Sequence, residues 1–398
     1  MGLVLYNPHV DDFLGEPPHF RLAGRRALRK YGFMIEGSSL DRPLHVVVDG
    51  TLSCFIPIEI FAKLGRRIRM RVAEREFASW VRLNGLEGSV EIVTPSSADL
   101  SRSVLLVFSY KAMADELFDE RRRIFDEAGC TVAHLSHYFI DTARKAVNMR
   151  SCRRLLLAGD SDITDNPYYR SHFGWYESEL LVLPFAVSDR FRSATPFDKR
   201  SNLCVATGTF HDLTRERPAR KYSDYRSLVG IDTYHPLRAE IWDERDNIGD
   251  EIRCLISPFR MRRFRHVAPV LDRVLVAQRK HFSIDLVQEY DEAKMAVVGE
   301  EASGFPALGS LEAMACGTLV LGRYDAFEGL GLIEGRHYLG HDGTLTGLLD
   351  ARARVLALED EGEGIAEAGM REIDARFRGS VVRDRWLASA ELALGAAP

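Results

Sequence analysis

Residues 304–322, GFPALGSLEAMACGTLVLG, decide the fold of this 398-residue chain. A loop broken by glycine and proline leads into a short helix with Leu311 and Ala315 on one apolar face. Ser310 is predicted to cap the start of this helix, and Gly317 occupies the position where a glycine commonly ends one. The β-prone run after Gly317 predicts a buried strand.

Glu312 is a carboxylate in this otherwise apolar helix. With Ser310 as the N-cap, Glu312 lies in the first turn, where backbone amides and the helix dipole favour anions. There it can accept hydrogen bonds from a hydroxylated ligand. When the segment is taken alone, a carboxylate that merely complements the helix dipole explains the residue equally well.

The run GSLEAMACGT, preceded by DEAKMAVVGEEASGFP, resembles the signature of the retaining GT-B glycosyltransferases of family 4. The resemblance implies that Glu312 binds the ribose of a nucleotide-sugar. It also implies that the chain around the helix start faces the sugar and the phosphates, at Gly304, Gly309, Ser310 and Leu311. The similarity covers roughly the second half of the chain, whereas the first half matches the family in topology alone.

One glutamate of the family signature is displaced in this chain. The family has it eight residues before the ribose-binding glutamate, where this chain has Gly304. Glu300 and Glu301 stand shortly before that position, which implies a longer loop. Neighbouring side chains of an extended segment point in opposite directions, so we expect only one of the two to reach the transferred sugar. We favour Glu301 as the catalytic residue because it is nearer to the turn at Gly304.

The composition argues against several classes of protein. With 46% hydrophobic residues, the chain is long enough for two domains that each have a core. Its 53 Lys and Arg residues against 58 Asp and Glu residues give a net charge of −5, which argues against a general nucleic-acid binder. We recognise no signal peptide, and no apolar run is long enough for a membrane span. The six cysteines lack CxxC spacing, so we expect reduced thiols in a cytoplasmic protein.

The first half of the chain alternates strand-like and helix-like segments. The predicted strands span residues 3–6, 44–48, 68–72, 90–93, 104–108, 131–135, 155–158 and 180–183. Helical patterns lie between several of them, for instance at 58–64 and 112–128. Such alternation predicts an α/β fold with a parallel sheet covered on both faces, and ligands of such sheets bind at the carboxyl ends of the strands.

Polar residues follow several of these strands. His9, Asp11 and Asp12 come after the first one, where Asp11 is a candidate general base or acceptor ligand and a solvated turn is the simpler explanation. His134 and His137 flank a later strand end. The resemblance implies a histidine there that contacts the transferred sugar, and His137 is our candidate, although structural roles explain both histidines as well.

Three further carboxylates, Asp160, Asp162 and Asp165, follow the strand at 155–158. Their spacing fits no metal site, and a capped helix start explains them better. The family resemblance implies no metal either. We therefore expect neither a metal nor another cofactor.

Basic residues gather in the second half of the chain. His211 follows a strand predicted at 203–207, where the family has a basic residue that reaches the donor phosphates. His235 and Arg238 stand at the start of a predicted helix, on the side of the same site. The basic cluster that begins at Arg260 suits phosphate or anionic lipid, and equally a solvated surface. We assign His211, Arg238 and Arg260 to phosphate binding and His235 to the catalytic set.

The sequence LLVLPFAVSDRF, at residues 180–191, resembles the interdomain segment of the family. The implied architecture is GT-B, in which two Rossmann-like domains face one another across a cleft. We assign residues 1–184 to an acceptor-binding domain and 185–201 to the linker. Residues 202–379 are assigned to a nucleotide-sugar-binding domain, and 380–398 to a helix that crosses back to the first domain.

The resemblance implies a glycosyltransferase that moves a sugar from a nucleotide-sugar to a glycan or a lipid-linked acceptor. Retention of configuration, cell-surface polysaccharide or lipopolysaccharide synthesis, and peripheral contact with an anionic membrane are further expectations. Two alternatives stay open: a GT-B-like nucleotide-sugar epimerase of the UDP-N-acetylglucosamine 2-epimerase type, and a non-catalytic subunit that binds nucleotide-sugar. The donor is open as well, because UDP-, GDP-, dTDP- and CMP-linked sugars, including CMP-Kdo, are all compatible with the sequence.

Overall fold

A computed structural model of the chain describes residues 2–6, 43–48, 50, 58–61, 63–83, 85–107, 113, 118–135, 142–184, 186–210, 230, 233–258, 284–302 and 305–395. The first half contains a parallel sheet in the order β3-β2-β1-β4-β5-β6-β7. Its strands are β1 (Gly2–Tyr6), β2 (Leu44–Val47), β3 (Val90–Val93), β4 (Ser103–Val107), β5 (Cys130–His134), β6 (Leu155–Gly159) and β7 (Leu181–Val182). The helices described in this half are α1 (Ile58–Phe61), α2 (Arg66–Leu83), α3 (Phe118–Glu127), α4 (Thr142–Arg150) and α5 (Pro167–Phe173).

The two central strands β4 and β5 are buried along their whole length. The adjacent residues Leu105 and Leu106 of β4 belong to two different hydrophobic clusters. Successive side chains of a strand point to opposite faces, so both faces of this sheet carry a core. The predicted α/β arrangement with a doubly covered parallel sheet is confirmed.

One strand predicted in this half is wrong. Residues 68–72, IRMRV, lie inside helix α2. Their alternation of apolar and basic residues imitates a strand, but Ala73, Phe77 and Val81 are buried at a spacing of four and form one face of a helix. Ile68, which would be an inward residue of the predicted strand, is 54% exposed.

The second half contains a smaller parallel sheet in the order β10-β8-β12-β13-β14, with β9 and β11 paired beside it. Its strands are β8 (Ser201–Ala206), β9 (Thr209–Phe210), β10 (Ile252–Cys254), β11 (Ser257–Pro258), β12 (Ala293–Val297), β13 (Leu319–Arg323) and β14 (Leu339–His341). The helices described here are α6 (Pro236–Glu244), α7 (Leu286–Glu292), α8 (Leu308–Ala315), α9 (Leu345–Ala357), α10 (Glu359–Arg376) and α11 (Gly379–Gly395). Every residue of β12 is buried, as expected for the centre of such a sheet.

Two crossings of the chain connect the halves. Between β7 and β8, the N–H of Val187 donates a hydrogen bond to the carbonyl oxygen of Phe377, at 2.8 Å. Nη1 of Arg378 donates to the carbonyl oxygen of Ser188 at 3.1 Å. Helix α11 then packs the buried Trp386 into the core on one face of the first sheet. The domain boundaries assigned from the sequence stay predictions.

The described cysteines are all free: Cys130, Cys152, Cys204, Cys254 and Cys316. Burial raises the pKa of the Cys204 thiol to about 12, so this group stays protonated and unreactive. Among the helices within the described ranges, none combines the length and the apolar character that crossing a bilayer requires.

Candidate functional site

The candidate site lies at the carboxyl edge of the second sheet, where β12 ends and the chain continues to α8. Parallel α/β sheets bind their ligands at this edge. The N–H of Ala302, in the loop between β12 and α8, donates to the carbonyl oxygen of Tyr234 at 2.7 Å. This hydrogen bond places the loop beside the start of α6. Gly304, predicted to face the donor, lies outside the described residues.

Helix α8 begins earlier than predicted. Its N-cap is Ala307, and Ser310 lies within the first turn, so the prediction that Ser310 caps the helix is wrong. Gly309 allows the earlier start, because a Cβ atom there would lie only 3.0 Å from Cγ1 of Val298 at the end of β12. Leu308 also contributes apolar contacts to the core. The Oγ of Ser310 is buried and has no hydrogen-bond partner among the described residues.

The start of α8 remains suited to an anion. No side chain among the described residues caps it. Its first N–H groups and the positive end of its dipole are therefore available to a phosphate. Leu311 is buried and contributes its side chain to the core, so only its backbone can serve a ligand. At the other end Gly317 adopts a φ of 69°, which confirms the predicted glycine stop.

Glu312 lies in the second turn of α8 rather than the first, because the helix starts earlier. Its side chain is half-buried, and no described residue donates a hydrogen bond or forms an ion pair with its carboxylate. Burial raises the pKa of Glu312 to about 7, and the positive charge of Arg190 opposes this shift. A half-buried carboxylate without donors is costly on its own, and the hydroxyl groups of a ligand would satisfy it.

The adjacent glutamates Glu300 and Glu301 lie in different surroundings. Glu300 is 7% exposed, and its Oε1 accepts a hydrogen bond from the N–H of Arg323 at 3.3 Å. Burial raises the pKa of Glu300. Glu301 is half-buried, and its N–H donates to the carbonyl oxygen of Phe305 at 3.1 Å. Glu300 therefore points towards β13, while the role of Glu301 towards the donor stays a prediction.

Arg238 is a buried cation that holds two strand-end loops together. Nη1 donates to the carbonyl oxygen of Thr209 at 2.6 Å, and Nη2 donates to that of Gly299 at 2.9 Å. Nε donates to the carbonyl oxygen of Val298. Burial lowers the pKa of Arg238 to about 10, and the negative charges of Glu301 and Glu300 oppose that change. A direct contact between Arg238 and a diphosphate stays a prediction.

Two glycines with positive φ make room for this guanidinium. A Cβ atom on Gly208, whose φ is 118°, would lie 2.9 Å from Cζ of Arg238. A Cβ atom on Gly299, whose φ is 65°, would lie 3.0 Å from Cγ of the same side chain. Larger residues at these positions would be strained and would displace the arginine.

His235 immediately precedes α6 and is buried. Its backbone N–H donates to Oγ1 of Thr233 at 3.2 Å. The hydrogen bond from Ala302 to Tyr234 brings this residue close to the loop of Glu301. The structure thus gathers His235, Arg238 and Glu301 at one edge, although the catalytic role of His235 stays a prediction.

The first half of the chain contributes contacts to the same region. Phe305 and Tyr234 belong to a buried cluster together with Ile163 and Leu180 of the first half. The N–H of Asp162 donates to the carbonyl oxygen of Gly329 at 3.3 Å. The loop that carries Glu301 is therefore anchored from both halves.

The polar strand ends of the first half have structural partners. Nε2 of His134 lies 3.1 Å from the carbonyl oxygen of Leu183 and 3.2 Å from Oδ1 of Asp160. Asp162 accepts hydrogen bonds from the N–H and the Oγ1 of Thr164, and Asp165 pairs with Arg170. Within the described ranges, no group of His, Cys, Asp and Glu residues could hold a metal ion. Other predicted residues lie outside the described residues: His9, Asp11, Asp12, His137, His211 and Arg260.

Two features were not predicted from the sequence. One is the set of three hydrogen bonds that Arg238 donates to carbonyl oxygens, which we call the Arg238 clamp, and the other is the proximity of Arg190 to Glu312. The signal for the clamp was available in part, because Gly208 and Gly299 each follow a buried strand closely. Arg190 stands in the segment that joins the halves and looks like an ordinary solvated residue. Its relation to Glu312 becomes visible only when the halves are placed in space.

The chain is similar to solved structures over nearly its full length. One is Anabaena Alr3699/HepE in complex with UDP and glucose, at 11% identity and a TM-score of 0.52, covering 98% of this chain and 100% of that one. The same protein in complex with UDP-glucose gives 12% identity, a TM-score of 0.52 and the same coverage. A glycosyltransferase from Rickettsia africae ESF-5 gives 11% identity and a TM-score of 0.53, covering 99% of each chain.

No protein-family profile matches the sequence, and no curated protein matches it significantly. At the identities of the solved structures, the likeness shows the fold alone. The chain has the GT-B fold, as the sequence predicted.

Proposed function

We propose that this chain is a glycosyltransferase that transfers a sugar from a nucleotide-sugar to a glycan or lipid-linked acceptor. The observation that carries the proposal is the half-buried carboxylate of Glu312, which has no hydrogen-bond donor among the described residues. It stands on α8, whose uncapped start favours a phosphate. A nucleotide-sugar offers both partners, because its ribose has hydroxyl groups and its phosphates are anionic.

The electrostatics of the second half suit such a donor. The N-terminus of α8 supplies positive potential where the phosphates would lie, and it would stabilise the charge that develops on the leaving nucleotide. Arg238 connects the start of β9 with the segment after β12 through the carbonyl oxygens of both, which would hold the donor site in one geometry. UDP-sugars are the first donors to test, because Anabaena Alr3699/HepE was crystallised with UDP-glucose.

Finer points belong to the same proposal. We infer retention of configuration, independence from metal ions and an acceptor in cell-surface polysaccharide or lipopolysaccharide synthesis. The family resemblance around Glu312 supports retention and metal independence. The acceptor class rests on that resemblance alone. Glu301 is proposed to contact the transferred sugar because Glu300 is turned towards β13.

The test begins with donor binding. Thermal unfolding is measured with UDP-, GDP-, dTDP-, ADP- and CMP-sugars, since a ligand at about 100 times its dissociation constant adds about 2.7 kcal/mol of stability. Calorimetry then compares Glu312→Ala with Glu361→Gln, which changes an exposed carboxylate on α10. We expect Glu312→Ala to lose about 1.5–3 kcal/mol of binding free energy, and Glu361→Gln to lose none.

Turnover decides between the remaining possibilities. Transfer to an acceptor with the donor configuration retained supports the proposal. Release of a free epimerised sugar without acceptor would identify an epimerase instead. Donor binding without any turnover on glycan or lipid-linked acceptors would identify a binding subunit. If no nucleotide-sugar stabilises the protein, the proposal is wrong.

A further inference from the structure

Helix α2 carries a row of exposed arginines on the face that points away from the sheet. Ala73, Phe77 and Val81 form its buried face. The opposite side, which we name the basic face, consists of Arg67, Ile68, Arg71, Arg75 and Arg82, all exposed. The arginines at 67, 71 and 75 follow one another at a spacing of four, so they lie one above the other on the helix surface.

Among the described residues, these arginines have no acidic partners. None of the four forms an ion pair or a side-chain hydrogen bond with any residue in the described part of the chain. Other helices show the usual pattern, in which Arg371 pairs with Glu367 and Arg376 with Glu372 one turn away. On α2 the residue one turn after Arg67 is Arg71, and like charges at this spacing destabilise a helix. A row of this kind in a chain with a net charge of −5 points to an anionic partner.

Exposed aliphatic side chains accompany the charges. Ile68 lies within the basic face and is 54% exposed, and Ile60 of the preceding helix α1 is 52% exposed. Lys63 and Arg66, between these two residues, are exposed as well. Basic residues mixed with exposed aliphatic ones match the interfacial region of a bilayer, where phosphates lie above acyl chains. A nucleic acid would match the charges and would leave the isoleucines without a partner.

The helix starts at the functional edge of the first sheet. Gly50, shortly after β2, has a φ of 68°, and a Cβ atom there would lie 3.0 Å from the backbone N of Met70 in α2. The first turns of α2 therefore lie against the carboxyl end of β2, the edge at which such sheets bind ligands. A bilayer on the basic face would lie beside this edge.

We propose that the basic face of α2 docks this protein on an anionic lipid bilayer. Each arginine near such a surface contributes about 1 kcal/mol, which corresponds to about a five-fold change in partition. The row of three therefore accounts for about a 100-fold preference for anionic over neutral vesicles. Membrane binding needs neither a sugar donor nor a sugar acceptor, so it can be tested separately from the proposed transfer reaction.

The test is co-sedimentation of the full chain with two kinds of vesicle. One is pure phosphatidylcholine, and the other contains about 30% phosphatidylglycerol, which makes its surface moderately anionic. The test variant is Arg67→Gln/Arg71→Gln/Arg75→Gln. The control is Arg144→Gln/Arg192→Gln/Arg336→Gln, which removes the same charge from exposed positions elsewhere. We expect the wild-type protein to bind anionic vesicles and not neutral ones, and salt to weaken this binding. The affinity for anionic vesicles should fall about 100-fold in the test variant and stay unchanged in the control.

Circular dichroism and thermal unfolding establish that both variants fold. Equal binding of wild type and test variant would overturn the proposal, as would equal binding to neutral vesicles or loss of binding in the control. A parallel titration with duplex DNA and RNA covers the other polyanions. Binding to a nucleic acid at the same salt concentration without vesicle binding would overturn the assignment to lipid.

Discussion

Nη2 of Arg238 donates a hydrogen bond to the carbonyl oxygen of Gly299 at 2.9 Å. The same guanidinium donates to the carbonyl oxygens of Val298 and Thr209, so one side chain on α6 connects the segment that follows β12 with the first residue of β9. Glu301 stands two residues beyond Gly299. The position of this carboxylate therefore depends on a buried cation that itself need not touch a ligand.

We predict that Arg238→Met destabilises the fold by about 3 kcal/mol or more, because three carbonyl oxygens lose their donor in a buried setting. Arg238→Lys should fall between this variant and wild type, since an ammonium cannot reach three acceptors in the geometry of a guanidinium. Urea unfolding measures both. Arg336→Met, at an exposed position, is the control and should change stability by no more than about 0.5 kcal/mol. If Arg238→Met unfolds at the same urea concentration as wild type, the three hydrogen bonds of Arg238 are not required for stability.

A second prediction concerns Trp386, which is 1% exposed in the core between α11 and the first sheet. Trp386→Ala should lower the free energy of unfolding by about 3–5 kcal/mol, because it removes a large buried side chain and leaves a cavity. Leu392→Ala on the same helix is the control, since Leu392 is 74% exposed. Chemical denaturation distinguishes the two. Equal stability of both variants would mean that α11 contributes little to the first half.

The larger features of the fold could be predicted because buried strands leave a strong mark on the sequence. The run predicted at 104–108 is strand β4 shifted by one residue, and all five residues of β4 are buried. The end of α8 at Gly317 was readable for a similar reason, because few residues other than glycine adopt its φ of 69°. Buried strands and helix ends of this kind are determined by the residues of the segment itself, so they can be predicted from its sequence.

The errors arose where distant contacts override local pattern. The alternation at 68–72 is a genuine period of two, but burial at Ala73, Phe77 and Val81 selects a helix. Ser310 is a good N-cap by type, yet close packing of Gly309 on Val298 starts α8 before it. In each case the deciding contact lies on the sheet, outside the segment itself.

Arg238 shows why the candidate site was harder to predict than the fold. Its acceptors are 29, 60 and 61 residues away in sequence, at Thr209, Val298 and Gly299. A sequence pattern within one helix contains no information about carbonyl groups that another part of the chain brings to it. For the same reason, the sequence did not predict that the charge of Arg190 acts on the carboxylate of Glu312.

A third prediction follows from the pKa of Glu312, which burial raises from 4.5 to about 7. Between these values the folded protein retains a proton that the unfolded chain has lost, so the contribution of Glu312 to stability is greatest below pH 4.5 and is lost as the pH rises to 7. Glu312→Gln lacks this titration. At pH 8 it should exceed wild type in stability by about 2 kcal/mol, after allowance for partial exposure, and the gain should vanish near pH 4. Parallel unfolding profiles of the two proteins would contradict the shifted pKa.

A fourth prediction addresses metal ions. If α8 and neighbouring basic groups stabilise the leaving nucleotide, transfer should proceed unchanged in excess EDTA. Sugar transfer is measured before and after chelation, with added Mg²⁺ and Mn²⁺ as separate arms. A complete loss of activity that either ion restores would show that a metal supplies the charge instead.

The last prediction compares Glu301 with Glu300, two adjacent carboxylates in different surroundings. Glu300 is buried against β13, and its Oε1 lies so near Gly322 that a Cβ atom there would be 3.1 Å away. Neighbouring side chains in an extended loop point to opposite sides, so Glu301 is directed away from β13. Glu301 is then the one of the two that can contact a transferred sugar.

We expect Glu301→Gln to lower kcat by about 10-fold or more, since a hydrogen bond to a charged group contributes about 1.5–3 kcal/mol. Its affinity for the free nucleotide should be unchanged, because a nucleotide without sugar has nothing for Glu301 to contact. Glu300→Gln is the matched control: an amide oxygen can still accept from the N–H of Arg323, so turnover and nucleotide affinity should both stay near wild type. Steady-state kinetics and calorimetry on the same preparations separate the two effects. Should Glu300→Gln lose turnover while Glu301→Gln keeps it, the buried carboxylate would have to move to the donor, and the assignment would be reversed. Should both keep it, neither glutamate replaces the one displaced at Gly304, and His235 becomes the next residue to substitute.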